Sequence, residues 1–157
     1  MILTKISKAV YDYLSQQQYT VTKDSDTCMS IEIEEEDNYI HIQFMANEEN
    51  DEVLLRCYLC LGPLNTDLEL QYGKSACVHL NPRLSIGKLT VVTMDEDCTA
   101  LFVDAAAYCY SEEEAVACIP YLIEAIMVTR GMVYPFMAQN LRAATGGCTG
   151  PKLYHVK

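Results

Sequence analysis

Apolar residues near the start of the chain recur at steps of three and four. Ile2, Leu3, Ile6, Val10, Tyr13 and Leu14 fall on one side of a helical wheel, and Lys5, Lys8 and Asp12 fall elsewhere, which predicts an amphipathic helix over 2–16. "KDSD" at 23–26 is turn chemistry. The period then changes to two. In "CMSIEIE", Met29, Ile31 and Ile33 alternate with Ser30, Glu32 and Glu34. In "YIHIQFMA", Ile40, Ile42, Phe44 and Ala46 alternate with Tyr39, His41, Gln43 and Met45. In "VLLRCYLCL", Val53, Leu55, Cys57, Leu59 and Leu61 share a face. Polar turns at 35–38 and 47–52 separate these runs. Three alternating segments with short connections predict an antiparallel meander with one face on a core.

Gly62-Pro63 closes the third strand. Beyond it, Leu68, Tyr72, Ala76 and Leu80 keep helical spacing, which favours a helix near 67–80, although Leu68, Leu70 and Tyr72 also suit a short strand. Gly73 inside that helix costs about 1 kcal/mol. "KLTVVTM" and "TALFVDAAA" form a second hairpin around "DEDC" at 95–98. Asp104 shares the face of Ala100, Phe102 and Ala106, and is read as a sheet-surface carboxylate. Ser111 with Glu114 three residues on makes a capping box at the head of a long helix, and Glu112, Glu113 and Glu114 face its positive dipole end. Pro120 is expected to kink that helix, Arg130-Gly131 to end it, and Pro135 to open a second short helix reaching about Arg142. The pattern describes one α+β domain over 1–142 and a flexible tail over 143–157.

Composition narrows the function classes. The 157 residues carry 11 Lys and Arg against 22 Asp and Glu, a net charge of −11. Such a chain repels nucleic-acid phosphates and anionic lipid. Lys5, Ser7 and Lys8 interrupt the apolar start that a secretory signal requires. "AVACIPYLIEAIMVTRG" carries Pro120, Glu124 and Arg130 and reads as too short and too polar to span a bilayer. A cytoplasmic protein is expected, and its eight cysteines are then thiols.

The one stretch with the look of chemistry is "RCYLC" at 56–60. On a strand, residues three apart point to opposite faces, so Cys57 and Cys60 can share neither a metal nor a vicinal disulfide. A redox C-x-x-C normally opens a helix, where the dipole lowers the thiol pKa. The competing assignment is a zinc or thiol site made of Cys57, Cys60, Cys77 and His79, with ligand types suited to tetrahedral zinc. The acidic runs lack the glycine and alternation of a calcium loop, "TGGCTG" lacks the lysine of a P-loop, and His41 and His155 have no partner at useful spacing. No nucleophile, base and orienting group can be assembled from these spacings, so no enzyme activity, cofactor or metal is expected.

The order helix, three strands, helix, two strands, long helix resembles the type III secretion chaperone-like fold. Within it, residues 81–137, "LNPRLSIGKLTVVTMDEDCTALFVDAAAYCYSEEEAVACIPYLIEAIMVTRGMVYPFM" with its leading Leu80, resemble the YbjN family, described as proposed bacterial sensory transduction regulators. The features that carry this are the Asn81 to Gly87 loop entering a strand, the acidic tip at 95–98, the apolar return strand, and the long helix ending near Tyr134-Pro135. The resemblance implies no reaction and no cofactor. The expected function is a non-enzymatic regulatory or secretion-chaperone-like module whose sheet binds another protein or a second copy of itself. Leu54 and Tyr58, apolar on the second face of their strand, are the expected contact residues.

Overall fold

The structure, a computed structural model, describes residues 2–50 and 52–144 of the chain. The amphipathic start forms α1 (Ile2–Gln16) and buries Ile6, Val10 and Leu14. A short strand absent from the sequence-based prediction follows, β1 (Thr20–Lys23). It is only four residues long, so two-residue alternation barely registers, and the β-branched run Thr20-Val21-Thr22 is its one signal. The meander then appears as β2 (Cys28–Glu35), β3 (Asn38–Glu49) and β4 (Glu52–Pro63). The last two run past the expected turn at 47–52, because Glu48↔Val53 and Glu49↔Glu52 remain paired and the connection shrinks to two residues. Two non-glycine residues with positive φ, Glu36 at 48° and Asn50 at 52°, set these tight hairpin turns.

Residues 67–80 are helical, as the spacing favoured: α2 is Asp67–Leu80, capped by the Thr66 hydroxyl accepting from the Glu69 N–H at 3.1 Å. Its buried stripe is Glu69, Gly73, Ala76 and Leu80, rotated from the expected Leu68–Tyr72 line. Gly73 explains the rotation. A Cβ there would lie 2.7 Å from Leu64 Cδ1, so the helix turns its smallest residue toward the buried Leu64. A 3₁₀ turn, Asn81–Arg83, leads into β5 (Lys88–Asp95) and β6 (Cys98–Cys109). The six strands make an antiparallel sheet in the order β1-β2-β3-β4-β6-β5.

The final element corrects two expectations. One continuous helix, α3, runs Glu112–Ala144, so Arg130-Gly131 does not end it and Pro135 does not begin another. Gly131 is not in the left-handed conformation that a glycine stop uses. The buried residues Ala115, Ile119, Leu122, Ile126, Thr129, Val133, Met137 and Leu141 recur at three and four throughout, and that apolar stripe outweighs the local breakers Gly131 and Pro135. Arg130 lies over the Tyr134 ring at 4.8 Å, bridging one turn across the expected break. The expected tail at 143–157 lies outside the described residues except for 143 and 144, which α3 includes. By length and composition alone, α3 could cross a membrane, its most apolar window having a mean hydropathy of 1.5.

The chain clusters into two units that alternate along the sequence. One contains the residues up to 59 together with 105–124. Its core is the inner face of the meander, where Ile31 pairs with Ile42, Phe44 with Cys57 and Ala46 with Leu55. Helix α1 packs on β1, β2 and β3. Phe44, fully buried, is the largest contributor, and truncating such a side chain to alanine costs about 3–5 kcal/mol. The other unit contains 60–104 and the chain from 125. There α2 packs on β5, with Leu61, Leu64, Leu80, Leu89, Leu101 and Val103 buried.

Candidate protein-interaction face

The strand alternation separates the two cysteines as the spacing required. Cys57 lies on the inner face with no exposed surface, and burial pushes its thiol well above the ordinary 9.0. Cys60 is exposed. Cys77 and His79 sit on α2, and each is engaged there. Burial raises the Cys77 thiol pKa above its ordinary 9.0, against the opposing effect of the Cys77 and Val91 backbone, and the His79 ring lies 6.1 Å from that of Phe136. Among the described residues no group of three or more His, Cys, Asp and Glu is placed to hold a metal ion.

Asp104, half-buried, lies on the strand face opposite the buried Leu101, Val103 and Ala105. Ser111 is committed to structure. Its Oγ accepts the Glu114 N–H at 3.2 Å, and the Glu114 carboxylate in turn accepts the Tyr110 N–H at 2.9 Å. The reciprocal box is thus present, displaced by one residue on its return arm. A shallow depression beside it is lined by Ile2, Lys5, Tyr110, Ser111, Glu112 and Glu113. It offers carboxylates but no buried nucleophile with a base beside it.

What remains is the outer face of the first unit's strands. Residues opposite the buried set are Glu32, Glu34, Tyr39, His41, Gln43, Met45, Arg56, Tyr58, Ala106 and Tyr108. Two tyrosines stand well into solvent, Tyr39 at 63% and Tyr108 at 51%. Tyr58 is half-buried, with Cys28 beside it. Burial raises the Tyr58 pKa above its ordinary 10.0, and the neighbouring Cys28 and Asp24 add to the shift. Leu54 is only 7% exposed, and Ser30 on the same face 2%. The premise that Leu54 lacks cover therefore does not hold. The chain already covers it. Sequence reading missed Tyr39 and Tyr108 because a tyrosine on the polar side of an alternating strand looks like ordinary surface.

A second feature, unforeseen from the sequence, closes one sheet edge. Outward-facing backbone groups of an edge strand have no ladder partner. At β5, both groups of Leu89 are taken by one side chain: Asn81 Nδ2 donates to Leu89 O at 3.0 Å, and Leu89 N–H donates to Asn81 Oδ1 at 2.7 Å. Two residues on, the Val91 backbone lies beside the Cys77 thiol and opposes the rise that burial gives its pKa. Cys77 and Asn81 are one helical turn apart, so the end of α2 lies along the strand where a neighbouring strand would pair.

No protein-family model matches the chain, and no curated protein does. Among solved structures it is similar to the crystal structure of YbjN, a proposed transcription regulator from E. coli, with a TM-score of 0.53 and 10% identity. The match covers 78% of this chain and 86% of that one. At this identity the likeness shows the fold alone, a distant YbjN-like α+β arrangement.

Proposed function

We propose that the protein is a non-enzymatic, cytoplasmic interaction module of regulatory or chaperone-like type. Its outer sheet face takes a segment of another protein. The observation that carries this reading is that three tyrosines, the exposed Tyr39 and Tyr108 and the half-buried Tyr58, stand on the strand face opposite the buried core residues. Tyrosine provides a large apolar surface with little rotamer entropy to lose, and is enriched where proteins meet. Glu32, Glu34 and the net charge of −11 favour a segment whose apolar residues are flanked by Lys or Arg. Tyr58 is the central contact.

Tyr58→Glu removes the ring and puts a carboxylate that must be desolvated at the centre of an apolar contact. The variant is expected to keep the circular dichroism of the parent and to lose a partner that the parent retains from extracts of its native cell. Tyr121→Glu, at an exposed site on α3, should retain it. Size-exclusion chromatography of the purified proteins separates this from self-association. Unfolding of Tyr58→Glu would assign that face to the core, and unchanged binding would place the partner surface elsewhere.

A further inference from the structure

Two thiols that the interaction face does not use lie in contact. Cys109 ends β6 and Cys118 sits two turns into α3, and their Sγ atoms are 3.8 Å apart. Cys118 Sγ also donates to Ala115 O at 3.1 Å. Cys109 is buried, whereas Cys118 is partly exposed. A disulfide needs its sulfurs at about 2.05 Å, so the pair must close by less than about 2 Å, within reach of side-chain rotation. We infer that Cys109 and Cys118 are a peroxide-sensitive dithiol that forms a reversible disulfide pinning the end of β6 to the start of α3.

The chemistry follows from the surroundings of each sulfur. When Cys109 ionises, the Cys118 S–H can turn from Ala115 O to the thiolate 3.8 Å away; this contact outweighs burial and the nearby Glu114 and lowers the Cys109 pKa below the ordinary 9.0. The same contact, with burial, holds the Cys118 proton on. Cys109 is therefore the nucleophile. Its thiolate attacks hydrogen peroxide: an S–O bond forms, the O–O bond breaks, and hydroxide leaves and is protonated to water. Cys118 then attacks the resulting sulfenic sulfur. The S–S bond forms, the S–O bond breaks, and hydroxide departs as a second water with the Cys118 proton. Two thiols are oxidised by two electrons and one peroxide is reduced by two. Transient sensing disulfides of this kind are compatible with a reducing compartment.

The test uses the full chain treated with hydrogen peroxide, alkylated in denaturant and cleaved after glutamate. Glu112, Glu113 and Glu114 separate the two cysteines, so a link joins two peptides, and fragment ions between Cys98 and Cys109 assign it. The expected result is a Cys109–Cys118 linked pair, lighter by about 2 mass units than the two thiols and restored by dithiothreitol. In Cys118→Ala, Cys109 stops at the sulfenic acid and is captured by dimedone. Cys118→Ser gives the same readout if the alanine variant loses the parent's circular dichroism. The inference is overturned if the link is absent while exposed Cys60 is oxidised, or if dimedone labels Cys109 equally in parent and variant.

Discussion

Asn81→Ala tests whether α2 closes the β5 edge. The substitution keeps the backbone, including the Asn81 N–H that bonds Cys77 O, and removes only the amide. Two hydrogen bonds are lost, at 3.0 and 2.7 Å, on a residue, Leu89, that is 1% exposed. If water replaces the amide fully, the loss is about 1 kcal/mol per bond; if the Leu89 groups stay dry, each costs about 2. The expected destabilisation is therefore about 2–4 kcal/mol, and a urea midpoint lower by roughly 1–2 M for a slope near 2 kcal/mol/M. Asn81→Asp sharpens the test. The carboxylate still accepts from Leu89 N–H, but its other oxygen now faces Leu89 O with no proton between them. Protonation restores a donor, so the folded state favours the protonated acid and raises its pKa above the unfolded value of about 3.9. Stability contributed by that proton is fully present below the unfolded pKa and lost as pH rises through the folded one. Relative to the parent, the Asp variant should thus recover as pH falls from 7 toward 4, while the Ala variant should not. A loss below about 1 kcal/mol in Asn81→Ala, or parallel pH profiles for the two variants, would refute the reasoning.

Ser111→Ala should lower stability by about 0.5–2 kcal/mol in a denaturant titration, through loss of the cap on the Glu114 N–H. Ser7 is 2% exposed and its Oγ has no hydrogen-bond partner among the described residues; Ser7→Ala should leave stability unchanged or raise it by up to about 1 kcal/mol. Burial raises the Cys57 thiol pKa above 9.0, so the unfolded state ionises first. The neutral thiol's contribution is complete below pH 9 and lost as pH rises beyond it. Cys57→Val should flatten the alkaline decline in stability above pH 9, and native Cys57 should resist a thiol reagent that labels Cys60.

The long alternating runs were legible because each buries one face, and period two then follows directly. Residues 28–63 show this, with Ile31, Ile42, Phe44 and Cys57 all inward. The end of the long helix was not, because the local breaker signals at Gly131 and Pro135 compete with an apolar stripe whose weight is tertiary. The rotated face of α2 was equally hidden: only the position of Leu64 says why Gly73 points inward. The candidate face was half legible. Tyr58 was reached from apolarity on a second face, but the cover over Leu54 and the solvent exposure of Tyr39 and Tyr108 depend on neighbours that spacing does not encode. The contact between Cys109 and Cys118 joins a strand end to a helix nine residues on, and no periodicity announces it.

The Asn81 clasp also bears on assembly symmetry. A six-stranded open sheet has two rims, here β1 and β5. With both rims free, copies could add head to tail, a heterologous contact that does not close and grows filaments. The β1 rim is exposed at three of its four positions, and among the described residues no side chain is seen to clasp its backbone as Asn81 clasps Leu89. Asn81 leaves one β5 residue, Leu89, with both outward backbone groups satisfied within the chain, so strand addition at that rim would first have to displace it.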